Sequence, residues 1–258
     1  MGMKRVLAVG LMMMAVASPL TAQGHGNGQI EVPLRVDGGR LLVPVEAADG
    51  TEVEFVLSTG TPQTVFSEST AARLGDQALT LGGVPVNLDG SVTVPDEALT
   101  ADGFVLAGMI APNTLSDFDV LIDAPGGRLV LKPIGPRVAW EGVALSDPLR
   151  VQVYHGVFLS FGVELDGTEY KAMLDLGLST LVVNEPVKAA LGLETESTGT
   201  LVLGDTTLSD LPVRVRDLAL FRGWDPDGDG FVVVGAPVSH GCVITISWVH
   251  REIRTCVR

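Results

Sequence analysis

The chain states one pattern twice. Residues 49–60 read DGTEVEFVLSTG and residues 166–177 read DGTEYKAMLDLG. A single offset of 117 carries Asp49 onto Asp166, Leu57 onto Leu174, Gly60 onto Gly177, and Leu74-Gly75 onto Leu191-Gly192. Two copies in tandem point to duplication of one folding unit and a two-lobed molecule. The same offset sets Ser58 against Asp175. Chemistry that draws one acid from each copy would find a single acid here.

Further landmarks follow in the same order in both copies. Leu81-Gly82 answers Leu203-Gly204, and Phe104-Val105-Leu106-Ala107-Gly108 answers Phe231-Val232-Val233-Val234-Gly235. Asp119 to Leu131 and Cys242 to Thr255 read as equivalent closing hairpins. Runs such as Leu41 to Val45, Val53 to Leu57, Val151 to Tyr154 and Val157 to Val163 have strand composition. Asp49-Gly50 and Asp166-Gly167 stand between alternating apolar runs, a strong hairpin signal. Helical patterns are short: Ser67 to Leu74, Glu185 to Leu191 and Pro112 to Phe118, the first two ending at a glycine suited to a C-cap. The expectation is an all-β protein of two lobes, 23–135 and 148–258, joined by a linker over 136–147 with Pro133, Gly135, Pro136 and Pro148 around it.

Residues 1–22 have the three parts of a secretory leader: basic Lys4 and Arg5, an apolar run from Val6 to Ala17, and small residues up to Ala22. That run is shorter than the ~20 residues of a membrane span. Export without a stable membrane anchor is expected, to the periplasm in a Gram-negative cell and to the exterior otherwise. Acidic residues outnumber basic ones 31 to 17, for a formal charge of −14. Such a surface repels nucleic acid and anionic lipid, so neither is an expected partner.

The two cysteines, Cys242 and Cys256, flank a hairpin pattern centred on Val249, which would set them opposite each other for a disulfide. Asp225, Asp227 and Asp229 alternate ahead of Gly230, like the start of a calcium loop. The glutamate that should close such a loop is replaced by Ala236. The plainer reading is a solvated acidic turn, with no cofactor. Ser58 as a nucleophile would need a base, and His155, His240 and His250 are the candidates within the lobes. No Gly-x-Ser-x-Gly turn surrounds Ser58.

Together these landmarks resemble the retropepsin-like aspartic peptidases. Met173-Leu174-Asp175-Leu176-Gly177 and Val56-Leu57-Ser58-Thr59-Gly60 stand where that family carries an apolar strand ending in Asp-Thr/Ser-Gly. The resemblance covers nearly the whole chain after the leader. It implies two acid-protease-type β-barrel lobes related by a pseudo-twofold axis. It also implies a flap hairpin in each lobe, with Glu194 and Glu196 at the start of the second. In the family two carboxylates share one proton; the ionised member activates water and the protonated one donates to the substrate carbonyl. The resemblance thus casts Asp175, Ser58, Thr59, Gly60 and Gly177 as the catalytic loops. Two departures stand out: Ser58 cannot ionise, and Leu176 lacks the hydroxyl that Thr59 keeps. The leading expectation is an exported, catalytically degenerate monomer that binds an extended polypeptide between its lobes. One alternative is an active aspartic endopeptidase using Asp175 with Ser58, or with Asp175 of a second chain in a homodimer. Another is a non-catalytic interaction protein with no peptide cleft.

Overall fold

Turn chemistry sets the first pairings. Strands Arg40–Ala47 and Glu52–Leu57 run antiparallel across Asp49-Gly50. Strands Phe158–Leu165 and Thr168–Leu174 do so across Asp166-Gly167. Asp166 and Gly167 both hold positive φ, at 47° and 82°, the backbone state that a two-residue hairpin turn demands. Alternation then decides which face is buried. In Glu52–Leu57, Val53, Phe55 and Leu57 point into the core while Glu52 and Glu54 face water. Burying each large side chain of this kind contributes about 1.5–3 kcal/mol.

The computed structural model describes residues 23–25, 28–101, 104–135, 140–218, 221–225 and 228–256. The leader expected over 1–22, part of the linker and Asp227 lie outside the described residues. The fold is all-β. In the second lobe six strands close into a barrel. Their order is Phe158–Leu165, Thr168–Leu174, Phe231–Val234, Leu181–Val183, Thr206–Val215 and Glu196–Leu203, the last pairing back onto the first. The first lobe repeats this plan but stays a half-barrel. Thr206–Val215 runs ten residues without a break, whereas the matching stretch stops after Val84–Pro85 and resumes at Val92–Val94. Pro85 has no N–H to offer a neighbouring strand. Beyond it Asn87 accepts the Asp89 N–H at 2.9 Å, fixing a side-chain turn where the other lobe has strand.

A seven-stranded sheet joins the lobes and draws strands from both. At its centre Phe118–Asp123 pairs antiparallel with Ile244–Ser247. Outside that pair lie Arg128–Pro133 and Glu252–Thr255, and beyond them Gln29–Pro33 and Leu149–Arg150. The arrangement is twofold in its strand order: closing hairpin against closing hairpin. Val120, Ile122, Ile244 and Ile246 face one continuous core.

The helix Glu68–Leu74 is capped by Ser67, whose side chain accepts the Thr70 N–H. Its counterpart Glu185–Leu191 ends at Gly192 in the left-handed region. Pro112–Leu115 is one short turn, ending before Phe118 enters the central sheet. Among the described residues, no helix is long and apolar enough to cross a membrane.

Strand register corrects one landmark. Val56 and Leu57 lie beside Met109 and Ile110, and Met173 and Leu174 beside Val233 and Val234. The residue equivalent to Gly235 is therefore Ala111, not Gly108. An apolar run ending in glycine occurs three residues early in the first repeat and mimics the landmark. The disulfide joins Cys242 to Cys256, but the hairpin register pairs Ile244 with Thr255, one step from the expected centre. Cys242 thus lies in the turn ahead of its strand and meets Cys256 diagonally, with Cα atoms 5.4 Å apart.

Candidate functional site

Two equivalent strand ends deliver the site. Leu57 and Leu174, both fully buried, end strands that run parallel to Gly108–Ile110 and Phe231–Val234. The next backbone N–H in each lobe is latched in the same way: Ser58 N–H to the Ile110 carbonyl and Asp175 N–H to the Val234 carbonyl, each at 2.9 Å. Anchored so, the two loops meet at the lobe boundary. The Ser58 hydroxyl donates to Asp175 Oδ1 at 3.1 Å.

Asp175 Oδ1 collects two more donors, the Gly177 N–H at 2.9 Å and the Gly60 N–H at 3.1 Å. One glycine comes from each lobe. A Cβ on Gly60 would overlap the Asp175 carboxyl group. A Cβ on Gly177 would sit 2.9 Å from Ser58 Oγ. Both glycines are needed for the loops to approach this closely. Asp175 as a residue is half-buried, while Ser58 and Thr59 are each 1 % exposed. Protein nevertheless packs around Asp175 densely enough that desolvation raises its pKa, against the opposing pull of the Gly177 N–H, the Ser58 hydroxyl and the Gly60 N–H.

Thr59 ties the loops together from one side only. Its hydroxyl donates to the Leu174 carbonyl at 2.9 Å and accepts the Leu176 N–H at 3.1 Å. Leu176, at the equivalent position, is fully buried and packs into the apolar core. The reciprocal hydroxyl bond is replaced by hydrophobic contact.

The other candidates lie elsewhere. Among the described residues no histidine bonds Ser58. His250 Nε2 is 3.2 Å from the Gly135 carbonyl, His155 stacks edge-on against Phe158, and His240 meets the Gly39 backbone. A serine nucleophile with a histidine base is thus not assembled. Asp225 closes its own loop, accepting N–H bonds from Asp229 and Gly230 and one from the Asn184 side chain. No group of three or more His, Cys, Asp or Glu suited to a metal occurs among the described residues. Asp227 of the expected calcium loop lies outside the described residues, and the Asp225 carboxylate is engaged by these three donors.

The flap expected from Glu196 onward is barrel wall instead. The hairpin of Glu196–Leu203 and Thr206–Val215 pairs with Phe158–Leu165. Its tip is pinned away from Asp175, with Thr206 Oγ1 hydrogen-bonded to the Cys256 carbonyl. The element that comes near the site is a separate two-stranded hairpin, Thr100–Ala101 with Phe104–Val105. Thr100, Leu106 and Gly177 line one cavity between the lobes. That cavity also receives Arg40, Arg214 and Arg216, none of which the sequence reading selected. The alternation Arg214-Val215-Arg216 was a usable signal, since residues two apart on a strand share a face; Arg40 reaches the cavity only through the fold.

No protein-family model matches this chain, and no curated protein matches it. The site holds one carboxylate, able to act as a general base. The Ser58 hydroxyl donates to Asp175, which favours the ionised form. A second acid, to hold a proton for a carbonyl, is missing from this pair.

Proposed function

We propose that this chain is an aspartic-peptidase-like protein of the retropepsin type that has lost efficient hydrolysis and holds an extended polypeptide between its lobes. The observation that carries this reading is the Ser58–Asp175 pair: two repeat-related loops meet at the lobe boundary, and only one brings an acid. A dyad shares a proton because two adjacent carboxylates cannot both ionise. Serine beside aspartate imposes no such sharing. Loss of one acid–base partner costs about 10²–10⁴-fold in rate.

Peptide binding does not need the lost acid. The Thr100–Val105 hairpin is a two-stranded sheet of its own, with strand edges that a peptide can extend by backbone hydrogen bonds. Restoration of a dyad by Asp175 of a second chain is disfavoured. Ser58 and Gly60 of the same chain already occupy the approach to that carboxylate.

The test is a titration of the purified protein into a fluorescein-labelled, permanently unfolded polypeptide, read by anisotropy. Saturable binding with the labelled chain left intact supports the reading. No binding leaves the fold as an interaction scaffold without a peptide cleft, and the proposal fails.

A further inference from the structure

We propose that the interlobe cavity beside Gly177 is a carboxylate-binding subsite, so that the polypeptide held there presents an acidic side chain to it. This deepens the peptide-binding reading and rests on it.

The cavity measures about 270 Å³ and takes its walls from both lobes. Leu99, Thr100 and Met109 come from the first, and Gly177, Ser179 and Val182 from the second. Its size suits one side chain rather than a whole ligand. Three arginines line it: Arg40, Arg214 and Arg216. Its described lining contains no acidic residue. In a chain with 31 acidic and 17 basic residues, three arginines in one small lining run against composition.

The pseudo-twofold shows that this charge is not inherited from the shared fold. Register equates Val182-Arg214 with Val65-Val92, so Arg214 answers Val92 and Arg216 answers Val94. Leu42 beside Val56 and Ser160 beside Met173 equate Arg40 with Phe158. All three counterparts are uncharged. The basic wall belongs to one side of the cleft, the side that runs on from Gly177.

The three arginines differ in freedom. Arg40 is 4 % exposed, so its guanidinium is held in place. Arg214 is shared with Glu196, Nε to Oε1 3.2 Å, and the Glu196 side chain is 71 % exposed. Arg216 is exposed at the rim. An incoming carboxylate would meet Arg216 first and then share Arg214, displacing a solvated surface partner. Guanidinium forks bind carboxylates by paired N–H bonds.

The experiment compares fluorescein-labelled seven-residue peptides carrying glutamate, glutamine or lysine at alternate positions, at low ionic strength. The glutamate peptide should bind about tenfold more tightly than the glutamine one, and the lysine peptide more weakly still. Arg214→Gln with Arg216→Gln should abolish the preference while the far-UV circular dichroism stays unchanged. Arg216 lies one residue past Thr206–Val215 and is exposed, and the Arg214 side chain pairs with the exposed Glu196, so an unchanged spectrum separates lost recognition from lost fold. Equal affinity for the glutamate and glutamine peptides overturns the proposal and leaves the peptide cleft intact. So does a preference that persists in the double variant. If no peptide binds, glutarate alone is titrated against the arginine Nε–H signals. Shifts at Arg214 and Arg216 then uphold the carboxylate site and discard the peptide cleft; no shift discards both.

Discussion

The Ser58 hydroxyl donates to Asp175 Oδ1 at 3.1 Å, and the two residues are 117 positions apart. That number is also the offset between the repeats. Equivalent positions of a duplicated unit have been brought into contact, and the contact is chemically unequal.

Thr59 provides the measurable tie across this contact. Thr59→Val removes the donor to the Leu174 carbonyl and the acceptor for the Leu176 N–H. Both backbone groups are then left unpaired in a buried place. The expected loss is about 1–3 kcal/mol per unsatisfied group, read as a lower urea midpoint with an unchanged slope. A midpoint within error of the wild type would mean that Leu176 packing alone holds the loops.

Gly60 faces the Asp175 carboxyl group so closely that any Cβ overlaps it. Gly60→Ala should therefore force the loops apart, at a cost of about 1–3 kcal/mol. Gly167→Ala is a useful contrast. Its positive φ penalises a side chain, yet its surroundings are open. Thermal unfolding of both variants would separate crowding from backbone strain. Gly60→Ala should also weaken polypeptide binding, and Gly167→Ala should not.

Burial raises the Asp175 pKa above its ordinary 3.8. A carboxyl that binds its proton more tightly when folded destabilises the fold once it ionises. Its share of stability is present at pH below the ordinary value and is lost as pH climbs through the raised one. Asp175→Asn removes the ionisation. The variant should gain stability relative to wild type as pH rises from about 4 towards neutrality, and the two curves should converge at lower pH. Chemical denaturation across that range checks the sign. A variant that loses relative stability as pH rises would show that the three donors outweigh desolvation.

The disulfide closes a loop of sequence separation 14 around the final hairpin, which is half of the centre of the interlobe sheet. Replacing Cys242 and Cys256 by serine should cost about 2–4 kcal/mol. The loss should appear as a lower melting temperature that reductant no longer changes.

Local signals in the sequence carried much of the fold. Asp49-Gly50 and Asp166-Gly167 announce hairpins because their turn geometry is set by a few adjacent residues. Ser58 and Asp175 could be equated because the strands before them share a pattern. Signals that depend on distant partners were misread. Gly108 imitates a landmark whose true first-lobe equivalent is Ala111, and only the pairing of Met109 with Val56 separates them. The span after Glu196 reads as a flap until its pairing with Phe158–Leu165 makes it barrel wall. The first barrel stays open because Pro85 and the Asn87 turn interrupt a strand that its counterpart completes. Arg40 gives no sign in sequence of reaching Arg214, since the fold alone brings position 40 to position 214.

The most direct test incubates the purified protein and its Asp175→Asn variant with an unfolded, fluorescein-labelled protein mixture from acid to neutral pH. Binding and fragment release are followed together. The account predicts that both proteins bind the labelled chains and that neither cleaves them at a rate approaching a two-carboxylate enzyme. Rapid cleavage by the wild type that vanishes in Asp175→Asn would contradict it, and would require another group to carry the proton that Ser58 cannot.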